Sequence, residues 1–347
     1  MIDEIKKRKE FPHGWLIIGL IAFIAFFSTI ANGQVSHVES VGFTVSDMGK
    51  AIDFYTCVLP FEKVSGREVW GDNFEHLSGV FGSRVRVVRL KLGDEFLELT
   101  EYLTAGGHLV PIDSRSNDKW FQHIAIIVSD MDKAFEILRK NKVRFASTAP
   151  QLLPKTIPNA SGIKAFYFKD FDNHVLEILQ FPADKGAKKW HDLAKTGKLF
   201  LGIDHTAIVV GDTEASLKFY RDALGLSVVG ESMNFGTEQE HLNNVFGAKL
   251  HITSLRTKED GIAVEFLEYL APRDGRDFPG NTRSNDLWHW QTSFEAEKAD
   301  DLASILGRNK FNFISSGIVS LDANNFDFKK ALLVRDVDGH AVRVIER

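Results

Sequence analysis

DHTAIVVGDTEASLKFYRDALGL, residues 204–226, is the stretch from which the rest of the chain can be read. It opens on β-branched and apolar residues, reaches Gly211-Asp212, and continues with apolar residues at helical spacing. An Asp at that boundary suits a helix N-cap, because its carboxylate can accept from the first free backbone N–H groups. A strand feeding a helix is therefore expected here. The same design stands at 38–59, where VESVGFTVSD leads into AIDFYTCVL, and at 121–140, where FQHIAIIVSD leads into a helical pattern over 131–140.

Working outward, the chain is doubled. Phe54-Tyr55 aligns with Phe219-Tyr220, and Glu75-His76-Leu77 with Val80-Phe81-Gly82 aligns with Glu240-His241-Leu242 with Val245-Phe246-Gly247. Glu101-Tyr102-Leu103 matches Glu268-Tyr269-Leu270, and Arg115-Ser116-Asn117-Asp118 with Trp120 matches Arg283-Ser284-Asn285-Asp286 with Trp288. Two modules result, 37–181 and 201–347, joined by a polar, partly helical-looking linker at 182–200. Each divides again into a strand, a helix and about three strands, so the class is α+β with four βαβββ units. The Phe-Tyr pairs are expected to anchor helices onto sheets, and the EHL and VFG segments to form a packed strand and turn. Cys57 falls in a helical pattern and is expected to pack rather than react.

The composition fits that reading. Of 347 residues, 44% are apolar and 26% charged, with 47 acidic against 42 basic side chains and a net charge of -5. That balance excludes a disordered chain, and the scattered basic residues offer no footprint for nucleic acid. One cysteine allows neither an internal disulfide nor a cysteine-based zinc site. At the N-terminus Lys6, Lys7, Arg8 and Lys9 precede the uncharged run WLIIGLIAFIAFFSTIA at 15–31. This run is long for a signal peptide and short for a spanning helix, which needs about 20 residues. Residues 1–33 are read as an export signal, with a membrane anchor as the alternative. The chain is then periplasmic, otherwise extracytoplasmic, or membrane-anchored, touching membrane only through this segment.

The segments HIAIIVSDM (123–131), DHTAIVVGD through LKFYRDALGL (204–226), DFDNHVLEIL (170–179) and DVDGHAVRVI (336–345) resemble the vicinal oxygen chelate superfamily of glyoxalase I, bleomycin and fosfomycin resistance proteins and extradiol dioxygenases. The resemblance covers nearly all of the chain after about residue 37 and implies a glyoxalase-like fold of two curved, mixed or mostly antiparallel sheets. It also implies a cleft holding one divalent metal, with ligands from the first and last strands of the units. Position by position these are Ser40, His123, His205 and Gln291 on first strands, and Glu98, Glu177, Glu265 and Arg343 on last strands.

If each module forms its own cleft, neither ligand set is complete. If the modules exchange halves, one cleft gains His123, Glu177, His205 and Glu265, while the other keeps Ser40, Glu98, Gln291 and Arg343, with a guanidinium in place of the metal. A site within the first module, from Glu98, His123 and Glu177, is the alternative. Two imidazoles and two carboxylates suit Ni, Co, Fe, Mn or Zn. The resemblance implies glyoxalase-type chemistry on a small carbonyl compound, an isomerase or lyase reaction through a metal-stabilised enediolate, with Glu177 the first candidate for the base and Glu265 the second. The other readings are an extradiol dioxygenase using His123, Glu177 and His205, and a metal-free protein that sequesters a small ligand. The RSND loops are read as capping turns, with Arg115 or Arg283 on an anionic substrate as the alternative. His37, His174, His76 and His241 are not expected to be ligands.

Overall fold

The computed structural model describes residues 34–321 and 326–347; residues 1–33, read above as an export signal or anchor, lie outside them. The first unit holds strands β1 (Val35–Val45), β2 (Glu62–Trp70), β3 (Arg84–Leu92) and β4 (Glu95–Tyr102), with helices α1 (Met48–Asp53) and α2 (Asp72–Ser78). The second holds β5 (Gln122–Val128), α3 (Met131–Lys140), the two-residue strands β6 (Arg144–Phe145) and β7 (Gln151–Leu152), then β8 (Lys164–Lys169) and β9 (Val175–Gln180). After α4 (Lys188–Ala194), the third unit has β10 (Phe200–Val210), α5 (Thr213–Leu217), β11 (Ser227–Phe235), α6 (Thr237–Asn243), β12 (Lys249–Arg256) and β13 (Ala263–Ala271). The fourth has β14 (Trp290–Ala296), α7 (Ala299–Arg308), β15 (Asn312–Phe313), β16 (Val319–Ser320), β17 (Lys330–Arg335) and β18 (Ala341–Glu346). No helix among the described residues is long and apolar enough to cross a membrane.

These strands form two nine-stranded curved sheets, and neither sheet is a module. One runs β15-β17-β18-β14-β1-β4-β3-β2, with β16 beside β17; the other runs β11-β12-β13-β10-β5-β9-β8-β6, with β7 beside β8. The first strand of each unit is the seam: β1 pairs antiparallel with β14, and β10 with β5. The halves are thus exchanged between modules, and the described residues make one compact unit.

The Asp residues at the strand-to-helix junctions do cap: Asp47, Asp130 and Asp212 accept from the backbone N–H of Lys50, Lys133 and Ala215. The largest core lies on the helix side of the sheets, where Ile124, Ile126 and Val128 of β5 meet Met131, Ala134 and Leu138 of α3. Tyr55 and Tyr220 are buried, and their hydroxyls donate to Asp170 and Asp336 of the closing DxD turns, which ties the helical segments to the sheets. Strand alternation leaves the opposite face for His123, Glu177, His205 and Glu265.

Three expectations change. The EHL segments are helical, in α2 and α6, because each is amphipathic at helical spacing: Phe74, Leu77 and Ser78 are buried while His76 is exposed. The helix expected over 48–59 is α for only Met48–Asp53 and widens to a π-turn over Phe54–Val58. Cys57 lies on the outer side of that turn and is exposed rather than packed.

Candidate metal centre

Register brings the four side chains together. Across the seam His205 stands opposite Ala125 and Ala207 opposite His123. On the flanking strands Glu177 stands opposite Ala125, and Glu265 opposite Ala207. Each row therefore sets its two ligand positions either side of an alanine, and the short side chains of Ala125 and Ala207 leave room for the longer ones to converge.

They do converge. Glu177 Oε2 lies 3.2 Å from His123 Nε2 and 3.6 Å from His205 Nε2, and Glu265 Oε2 lies 3.5 Å from His205 Nε2. His123, Glu177 and His205 have one ligand atom each within 4.8 Å of one another, and all three are buried. Glu265 is half-buried, with 22% of its side chain open. Burial works against the Glu177 charge, but hydrogen bonds from His123 and His205 hold its carboxyl below the usual range. Burial likewise opposes a charge on His205, yet Glu265, Asp204 and Glu177 raise its pKa well above the ordinary value. A buried knot of two imidazoles around shared carboxylate oxygens is the arrangement that a cation would stabilise.

The surroundings fit a metal as well. Asp204 Oδ2 lies 3.1 Å from His205 Nδ1 and accepts its proton, so a bound cation would replace only the Nε2 proton that faces the carboxylates. Asp204 is itself held by Trp190 Nε1 at 2.8 Å and Arg256 at 3.4 Å. Burial opposes its charge, but His205 above all, then Arg256 and Trp190, bring its pKa down to about 2. Sequence reasoning missed Asp204, because strand alternation would turn it away from His205. A register shift between Ile203 and His205 makes Asp204 the extra residue of a bulge, which brings it to its neighbour. The Asp-His dipeptide beside a ligand position was the available signal.

Access is one-sided. Phe121 and Tyr167 pack on the His123 ring, with centroids 5.5 Å and 4.8 Å away, and close that end. Glu265 and Asp204 instead line an open groove with Ile252, Ser254 and Arg256.

The counterpart positions on the other sheet are Ser40, Glu98, Gln291 and Arg343. Arg343 Nη1 donates to Glu98 Oε1 at 2.6 Å, so a guanidinium occupies the place that Glu177 holds opposite. Glu98 stands on a different sheet from His123 and Glu177, so the structure does not bring the three residues of the first-module alternative together. The RSND loops are structural. Buried Asp118 accepts from the backbone N–H of Arg115 and from Arg276 Nε and Nη2, and Arg115 pairs with Asp274 at 2.8 Å. His174 is fixed by Asp170 and the Leu287 carbonyl, and His76 and His241 are exposed on their helices.

The fold, the repeat and the site geometry place the chain in a known class. The family model described as Glyoxalase/Bleomycin resistance protein/Dioxygenase superfamily matches twice, over residues 34–178 and 202–344, and the chain belongs to that family. Among solved structures it is similar to glyoxalase I from Zea mays, at 15% identity over 90% of this chain and 92% of that one, with a TM-score of 0.56. A mutant of the same maize enzyme gives 16% identity, 90% and 92% coverage, and 0.60. A putative dioxygenase from Bacillus subtilis subsp. subtilis str. 168 gives 13% identity, 90% and 86% coverage, and 0.56. At these identities the likeness establishes the fold. No curated protein matches the chain.

Proposed function

We propose that the chain is a metal-dependent enzyme of glyoxalase type, an isomerase or lyase acting on a small carbonyl compound, with His123, Glu177, His205 and Glu265 holding one divalent ion. The observation that carries this is the convergence of two imidazoles and two carboxylates on one sheet face. A bound ion there would supply Lewis-acid polarisation of a carbonyl and stabilise the negative charge that develops when the neighbouring proton leaves.

The chain's own residues divide the remaining work. Glu177 is buried between both histidines and is held in place. Among the described residues Glu265 forms an ion pair only with His205, and it lines the groove, so it has the freedom to take a proton from a molecule arriving there. This reverses the order of the two bases expected from the sequence. Asp204 holds the His205 ring, and Phe121 with Tyr167 keeps water from His123.

A second reading, a ring-cleaving dioxygenase, rests on the His123, Glu177 and His205 triad, which is the tightest part of the cluster and matches a 2-His-1-carboxylate iron site. Metal analysis of the purified protein, followed by assays of thiohemiacetal isomerisation and of oxygen uptake with catechols, tests both. Stoichiometric metal that disappears in His123→Ala and His205→Ala but persists in Glu98→Ala supports the site. Isomerisation abolished by Glu265→Gln supports the glyoxalase reading, whereas oxygen uptake alone transfers the assignment to the dioxygenase. A protein without metal that binds a small apolar ligand overturns both in favour of sequestration. The basic and apolar N-terminal residues support export or anchoring, and cell fractionation of the full chain tests that.

A further inference from the structure

Strand β10 is held unevenly along its length. Strand β13 pairs with it only from His205 to Val210, so residues 200–204 have a strand, β5, on one flank alone. That stretch carries two register shifts, and the second makes Asp204 the bulged residue beside His205. A bulge takes its residue out of the regular ladder, so the sheet's own hydrogen bonds do not fix where Asp204 points.

Helix α4 of the linker, which belongs to neither module, supplies what the sheet does not. Trp190 is only 2% exposed and packs with Ile127, Leu179 and Leu201. Its Nε1–H donates to Asp204 Oδ1 at 2.8 Å, while the other donor on that oxygen, Arg256, reaches it only at 3.4 Å. Gly202 lets the indole come this close to β10, because a Cβ there would stand 2.8 Å from the ring. The neighbouring Lys189 pairs at 2.7 Å with buried Glu95, which accepts from the backbone N–H of Ile203 at 3.1 Å. Glu95 opens β4 on the other sheet. The bulge is therefore held through its side chain by the linker and through the adjoining backbone by Glu95.

We propose that Trp190 is a positioning residue for the candidate metal site: the linker helix sets the Asp204 carboxylate against His205 Nδ1 and so fixes the ring with Nε2 toward Glu177 and Glu265. This rests on the reading of His205 as a ligand. The indole N–H takes Oδ1, which leaves Oδ2 for His205 at 3.1 Å. Without that bond the carboxylate is free to turn about its side-chain torsions, and the imidazole loses the acceptor that orients it. The linker thus serves the site as well as joining the modules.

Two replacements in the purified full-length protein remove the donor: Trp190→Phe, and benzothienylalanine in place of Trp190, which keeps the shape of indole and puts sulfur where Nε1–H stands. Leu193→Ala is the control, since it takes packing from the same helix and removes no hydrogen bond to Asp204. In chelator competition with zinc, each replacement should weaken binding about three- to tenfold, less than loss of the direct partner Asp204, and Leu193→Ala should stay within about twofold of wild type. By NMR of the metal-free protein, the Nδ1–H proton of His205, assigned by its absence in His205→Gln, should exchange with water faster in both replacements and not in Leu193→Ala. Should Trp190→Phe fail to fold, the shape-matched replacement carries the test. Unchanged proton exchange in that protein, or an equal loss of zinc affinity in Leu193→Ala, would overturn the proposal. A wild-type protein that takes up no metal would remove the metal reading instead, and the proton exchange would still decide whether Trp190 orients His205.

Discussion

Removing one partner of the Glu98 and Arg343 pair should cost far more than removing both. The two side chains are 5% and 8% exposed and meet at 2.6 Å. At an effective dielectric of about 20 the gross attraction across that distance is roughly 6 kcal/mol, and desolvation of the two charges offsets much of it. Either single methionine substitution leaves a buried charge uncompensated, which costs about 3–5 kcal/mol. The two singles should differ. Glu98 keeps the fields of Arg67 and Arg89 when Arg343 goes. Arg343 keeps only the more distant Glu39 when Glu98 goes. Glu98→Met should therefore stand at the upper end of the range and Arg343→Met at the lower. The double variant replaces an ion pair with two apolar side chains against Phe328, which already packs on the guanidinium at 5.3 Å, and should be within about 1 kcal/mol of wild type. Urea unfolding of the four proteins measures the cycle. Additive losses, or a Glu98→Met penalty below about 1 kcal/mol, would show that the pair is solvated and that the reasoning about this cleft is wrong.

The candidate metal site and the fold give further predictions. Asp204→Asn should weaken metal binding by about 10–100-fold in chelator competition while leaving the circular dichroism spectrum unchanged, because it loosens the His205 ring without removing a ligand; unaltered affinity would deny Asp204 that role. Gly275→Ala and Gly107→Ala would set a Cβ 1.8 Å from the Asn117 carbonyl oxygen and 2.0 Å from that of Asn285, so each should lose at least about 1–3 kcal/mol in urea unfolding, and a neutral result would contradict the packing of these loops. His289 has a pKa of about 3 in the fold against 6.5 when free, so between those values the unfolded chain takes up a proton that the folded chain refuses. Its contribution to stability is full above about pH 6.5 and is lost as pH falls toward 3, with a slope of at most about 1.4 kcal/mol per pH unit. His289→Asn should flatten that part of the stability curve, and an identical acid slope in the variant would remove the assignment.

Much of the molecule is written in short-range patterns. The strand-to-helix junctions, their capping aspartates and the four-unit repeat follow from residues within about a dozen positions of one another, where backbone hydrogen bonding and side-chain alternation are local. The candidate ligand positions of each unit came instead from the resemblance to the superfamily, carried over position by position. Which units share a sheet could not be settled there. All four open with a similar strand, and the repeat leaves equivalent seams free to pair within a module or between modules. The tertiary structure pairs β5 with β10 and β1 with β14, and that choice puts His123 and Glu177 beside His205 and Glu265. It also confines Arg343 and Glu98 to the other sheet. The bulge that turns Asp204 toward His205 and the groove that exposes Glu265 are likewise products of strand pairing, because a one-residue register shift reverses the face a side chain occupies. The sequence by itself determined what each unit is; only the tertiary structure decided which units meet, because pairing energy is shared between distant strands whose local patterns are nearly the same.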